Sequence, residues 1–213
     1  MPRIEPLTPP YEPEIGEALR KWMPPGVAHD PLQLFRVLHR NPELASRMRV
    51  VGAGLLAHGR LPAQDREIVI ARACARSGCE YEWGVHAAAF GDAVGLTKEQ
   101  INATVTGDLT PWSPEQRLLL KAVDELHDSA TLTQDTWDGL AKRYDQAQML
   151  EFIVLTGWYR TIGQLANSLH LDNEPWAHTF PTNWKAPTAP ASRPTITSRA
   201  PTDEQLPGQR AAA

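Results

Sequence analysis

Long apolar runs are missing from these 213 residues. None approaches the roughly 18–20 residues that a membrane-crossing helix needs, so no membrane partner is expected. The opening MPRIEPLTPPYEPEIG is rich in proline and acid and holds no apolar core of a secretion signal, and a cytoplasmic location is the expectation. Basic runs are also missing. Twenty-one Lys and Arg face 25 Asp and Glu, a formal net charge of -4, which speaks against nucleic acid as a partner. Cysteine is scarce: Cys74 and Cys79 are all there is. In a reducing compartment such a pair is expected as free thiols rather than as a structural disulfide. Alternating apolar and polar stretches between hairpin turns are absent too, which leaves no segment that reads as a strand.

What is present is helical punctuation. Asp30 in DPLQ, Asn41 in NPEL, Thr97 in TKEQ and Ser113 in SPEQ each read as an N-cap ahead of an apolar period. The runs EIVIA and FIVLT are continuous and read as buried helix. The expected class is all-α. Residues 1–29 read as an N-terminal arm, with the proline-rich first fifteen extended. Residues 30–180 read as one helical domain. Residues 181–213 are rich in Pro, Ser, Thr and Ala and nearly free of large apolar side chains, the composition of a disordered tail.

The chemistry-bearing stretch is SGCEYEWGVH, Ser77 to His86. Ser77 with Glu80 reads as a capping box, with Gly78 at the break from the preceding helix. Cys79 then falls in the first turn, where free N–H groups and the helix dipole favour a thiolate. Cys79 and His86 lie within about 20° of one helical face, and Glu82 is one turn before His86. If the preceding helix packs back as a hairpin, Glu67 meets the same edge. The plainer readings are a small core thiol at Cys79, a solvated Glu82–His86 pair, core or interface aromatics at Tyr81 and Trp83, and buried packing at Cys74. Only Glu82 and His86 have a spacing suited to a shared ion, and no second histidine matches it, so neither metal nor cofactor is expected.

The run LPAQDREIVIARACARSGCEYEWGVHAAAFGDAVGLTKEQI resembles the carboxymuconolactone decarboxylase family, which includes the alkylhydroperoxidase D-like proteins. LFRVLHRNPELASRM is similar to that family's opening helices, and the run from WSPEQRLLL to IGQLANSL to its second helical half. The resemblance implies an all-helical fold assembled as trimers or hexamers, with a site formed by Glu67, Cys79, the residue at 82 and His86. In the peroxidase branch the pair is C-x-x-C. Here the second position is Glu82, so a resolving thiol is lacking and a two-cysteine peroxidase cycle is in doubt. The form CEYEW…H is common in the decarboxylase-like branch.

With the redox cycle removed, acid/base chemistry remains, carried by His86 between carboxylates and titrating between about 5 and 8. The expected function is cofactor-free decarboxylation or isomerisation of a small carboxylated lactone or oxo acid. Tyr81, Trp83 and Arg160 are the expected substrate contacts, with Arg160 pairing a substrate carboxylate. A thiol-based antioxidant enzyme using Cys79 and a non-catalytic helical oligomer that binds a small molecule are the alternatives.

Overall fold

The computed structural model describes residues 1–23 and 29–182. The expected tail therefore lies outside the described residues from 183 onward, as do five residues of the arm. Among the described residues there is helix and no strand. None of the helices is long and apolar enough to cross a membrane.

The fold is built round α4, Ala63–Arg76, which packs against α5 (Glu80–Ala89), α6 (Lys98–Thr106), α7 (Pro114–Ser129) and α9 (Gln146–Leu169). Its central position explains EIVIA. Ile68, Val69, Ile70, Ala73 and Cys74 are all buried, so no single apolar stripe is visible in its sequence. A helix surrounded on all sides must also satisfy its charges internally. Arg72 forks onto Asp124 at 2.7 and 2.8 Å and donates to the Thr104 carbonyl at 2.8 Å. Asp65 accepts from Tyr144 Oη at 2.7 Å and is paired with Arg143.

Helices α2 (Gln33–Leu38) and α3 (Pro42–Ala57) lie towards the start of the chain, and α8 (Gln134–Ala141) joins α7 to α9. Asn41, Thr97 and Ser113 cap as expected; Thr97 and Ser113 close reciprocal capping boxes with Gln100 and Gln116. Asp30 does not cap α2. The N-cap position is Leu32, which offers no side-chain acceptor, and the first helical N–H, of Gln33, goes instead to Glu174 Oε1 at 2.7 Å. A carboxylate distant in sequence replaces the local cap.

The arm is docked rather than free. Arg3 N–H donates to the Leu169 carbonyl at 2.8 Å, and Arg40 donates to the Glu5 carbonyl at 3.0 Å. It also turns helical earlier than read, in α1, Pro13–Arg20. After α9 the chain crosses back as a strap through residue 182. His178 N–H donates to the Gly84 carbonyl at 3.2 Å, and Phe180 N–H donates to Glu80 Oε1 at 2.6 Å. The close approach requires a glycine: a Cβ at Gly84 would collide with the His178 carbonyl oxygen.

Candidate functional site

The corner between α4 and α5 decides where the site residues point. Gly78 adopts φ 61, Gly78 N–H donates to the Ala75 carbonyl at 3.0 Å, and Cys79 N–H donates to the Cys74 carbonyl at 2.9 Å. These two bonds are a Schellman closure of α4, with Gly78 in the left-handed position that glycine adopts without strain. The expected Ser77–Glu80 capping box is therefore not formed. Ser77 ends α4, and the N-cap of α5 is Cys79, which makes no side-chain cap bond. Glu80 turns outward to the strap, accepting from Asn173 and Phe180.

This corner seals Cys79. The thiol is fully buried, and Gly163 of α9 sits so close that a Cβ there would lie 3.3 Å from that of Cys79. Burial pushes the thiol up to about 12, although backbone hydrogen bonds at the helix start pull the other way. Dipole stabilisation of a thiolate at the helix start was expected, but desolvation outweighs it. Cys74 is likewise buried and raised well above the ordinary thiol range by desolvation, as expected of a packing residue.

The hairpin brings Glu67 to His86, as the sequence suggested. His86 Nδ1 and Glu67 Oε2 are 2.8 Å apart, and Arg66 Nε donates to the other oxygen of Glu67 at 3.1 Å. Glu82 Oε1 is 3.5 Å from His86 Nε2. The same nitrogen lies 3.0 Å from Tyr159 Oη, on α9. Burial alone would push His86 towards its neutral form. The Glu67 carboxylate, with Glu82 behind it, outweighs that and holds the imidazolium up to about 9. Burial raises Glu67 and the imidazolium lowers it; the imidazolium wins and the carboxyl sits below its usual range. Tyr159, buried and facing both carboxylates, is held as the neutral phenol.

Glu82 and His86 open onto a cavity of about 410 Å³. Its walls come from Trp22 and Met23 after α1, His29 and Leu32 ahead of α2, Phe35 of α2, Leu56 of α3, Val85, Ala88 and Ala89 of α5 with Phe90 just beyond it, and Trp176 of the strap. Trp22 stacks on Phe35 with centroids 4.4 Å apart, and His29 stacks on Trp176 at 4.8 Å. Glu82 is nine-tenths buried, and its Oε2 has no hydrogen-bond partner among the described residues. Among those residues no group of three His, Cys, Asp or Glu side chains is arranged to hold a metal ion.

Cys79 does not line this cavity, and none of the three expected substrate contacts does either. Tyr81 is buried on the strap side of α5: it donates to Glu174 Oε1 at 2.6 Å and accepts from Leu34 N–H at 3.1 Å. Trp83 is buried, bonded to Thr104 Oγ1 at 2.9 Å and edge-on to Phe180. Arg160 donates to the His127 carbonyl at 3.0 Å and lines a separate cavity between α7 and α9. The physical reason is phase. On α5, positions 81 and 83 fall on other faces than 82 and 86. On α9, Leu155, Tyr159, Ile162 and Ala166 form the buried stripe, and Arg160 is one residue off it. That stripe was the signal that would have singled out Tyr159 in place of Arg160. Trp22, Phe35 and Trp176 carried no comparable signal, because they meet only through tertiary folding. His170 ends α9, and His178 faces a different cavity on the outer side of α5.

Residues 42–125 match the model of the carboxymuconolactone decarboxylase family. No curated protein matches the chain significantly. Several solved structures share the fold. An uncharacterised peroxidase-related protein from Silicibacter sp. TM1040 superposes with TM-score 0.69 at 14% identity, covering 81% of this chain and 93% of that one. The alkylhydroperoxidase AhpD core protein from Ralstonia eutropha JMP134 gives 0.67 at 15%, covering 81% and 93%. The debrominase Bmp8, as a cysteine-to-alanine variant in complex with 2,3,4-tribromopyrrole, gives 0.67 at 15%, covering 81% and 92%. The all-helical fold is thus the AhpD-like one.

Proposed function

Because residues 42–125 match the carboxymuconolactone decarboxylase family and the chain has the AhpD-like fold, we propose that the cavity over Glu82 and His86 is the active site of a cofactor-free acid/base enzyme, a lyase or isomerase. The observation that carries this is the unpartnered Oε2 of Glu82 in a largely apolar cavity, backed at 3.5 Å by a histidine that Glu67 keeps charged. A carboxylate so placed is a base with a vacant lone pair. Glu82 takes a proton from a carbon next to a carbonyl and returns it to another atom of the same substrate. The positive charge on His86 faces the enolate while it exists, and Glu67, Arg66 and Tyr159 hold that ring in place.

Of the two reactions read from the sequence, isomerisation has the better support. Decarboxylation needs a seat for a carboxylate, and Arg160, the residue expected to supply it, is engaged elsewhere. The thiol-peroxidase alternative loses support for two reasons. No cysteine stands at position 82, and Cys79 keeps its proton at physiological pH.

The test is proton exchange. A panel of small cyclic ketones and lactones is incubated with the protein in D2O and followed by NMR. At least one should take up deuterium beside its carbonyl, and both Glu82→Gln and His86→Ala should slow that uptake by about 10²–10⁴-fold. Uptake at the wild-type rate in both folded variants would refute the assignment.

A further inference from the structure

The cavity also restricts the charge and shape of what enters it. A buried carboxylate oxygen left unpaired is costly, so a ligand that brings a donor is favoured there. Oε2 of Glu82 is such an oxygen. Among the described residues no Lys or Arg lines the cavity. Both ring nitrogens of His86 are engaged, one by Glu67 and the other by Tyr159. His29 lies flat against Trp176, with 16° between the ring planes. An anionic group would thus be set against Glu82 in apolar surroundings, where the charge of the His86 ring is already shared by the Glu67 and Glu82 carboxylates. The Trp22–Phe35 and Trp176–His29 stacks present aromatic surface on two sides, and about 410 Å³ is at the small end of ligand pockets.

We infer that the cavity takes an uncharged flat ring compound that donates a hydrogen bond to Oε2 of Glu82, and discriminates against the same ring carrying a carboxylate. The inference rests on the reading of this cavity as the substrate site, and it narrows the substrate from an acid to a neutral donor such as a phenol, an azole or the enol form of a cyclic ketone.

Calorimetric titration with three probes tests it at neutral pH: p-cresol, its ether 4-methylanisole, and 4-hydroxyphenylacetate. Loss of one charge-assisted hydrogen bond should make the ether bind about 10–100-fold more weakly than p-cresol. The carboxylate should bind more weakly than p-cresol by about tenfold or more. In Glu82→Gln the penalty on the carboxylate should shrink towards parity. Ala89→Phe, at an exposed wall position, should weaken all three probes alike and thereby locate them in this cavity. Equal or tighter binding of the carboxylate, equal binding of ether and phenol, no binding of any probe, or a pattern unchanged in Glu82→Gln would each overturn the inference. The deuterium experiment reads the chemistry separately. Exchange that depends on His86 without a donor preference removes only the inference. A donor preference without exchange removes only the proton chemistry.

Discussion

A single imidazole sets the pH behaviour. With Glu67 on Nδ1, His86 keeps its proton up to about 9. The essential limb in kcat/KM should therefore fall as pH rises through about 9, above the range of about 5 to 8 expected for an ordinary histidine. It should move down in Glu67→Gln, which keeps the shape of the side chain and removes its charge. Stability follows the same sign. The raised His86 pKa contributes stability that is complete below the unfolded value of 6.5 and is lost as pH rises through about 9. The lowered Glu67 pKa contributes above its unfolded value of 4.5 and is lost on acidification below it. Denaturant titrations of His86→Gln should show no such loss on the alkaline side. Cys79 makes the opposite prediction. Sealed and protonated, it should take no part in proton transfer, and Cys79→Ser should keep most of the turnover. Abolished activity in a folded Cys79→Ser protein would return the thiol chemistry to first place. The triad of Glu67, Glu82 and His86 was legible in the sequence because helical spacing and one hairpin suffice to assemble it. The state of Cys79 was not, because its burial is imposed by Gly163, far away on α9.

At the scale of elements, the legible features were those a local pattern decides. Asn41, Thr97 and Ser113 cap because acceptor and orphan N–H are three residues apart. The failures at Asp30 and Ser77 share a cause: partners distant in sequence satisfied the same groups differently. The strap shows this best. Glu174, itself buried, takes both the Gln33 N–H that opens α2 and the Tyr81 hydroxyl of α5, and so ties the two helices that flank the cavity. Glu174→Ala leaves one buried and one half-buried donor without an acceptor. It should cost about 1–3 kcal/mol in denaturant titration. Gly84→Ala attacks the same strap sterically, by pushing against the His178 carbonyl. It should release the strap and so remove the Trp176 wall. The readouts are faster proteolysis beyond residue 170 and weaker probe binding. A Gly84→Ala protein with wild-type protection would mean that the strap yields without detaching.

At the scale of the whole molecule, most of the large apolar side chains left exposed among the described residues gather on two helices. Along α9, Leu150, Ile153 and Val154 are exposed, Leu150 by 67%, and Gly157 continues the row with open space before it. On α3, which packs beside α9, Leu44, Val50 and Val51 are exposed, Val50 by 66%, and Gly54 is equally open. The spacing 150, 153, 154, 157 keeps these positions on one helical face, turned away from the stripe that Tyr159 occupies. Isolated exposed leucines are ordinary, but a contiguous apolar patch across two adjacent helices marks an interface. The expected occupant is a second copy of this chain. The two helices offer apolar side chains and bare glycines together, so a like surface can supply both knob and gap, and charge complementarity from a foreign partner is not required. The expected assembly is a trimer or a multiple of three, as the family resemblance implies. Light scattering at micromolar concentration should return that mass for the wild type. Val154→Glu, a charge set in the middle of the row and away from every cavity residue, should shift it to monomer while leaving helix content unchanged by circular dichroism. A wild-type monomer at that concentration would show that the patch is not an interface between copies. A Val154→Glu protein that stays fully assembled would place the contact on another face. Because Leu56 of α3 lines the cavity on the opposite side of the same helix, dissociation should also loosen that wall, and the binding of p-cresol should weaken together with the loss of assembly.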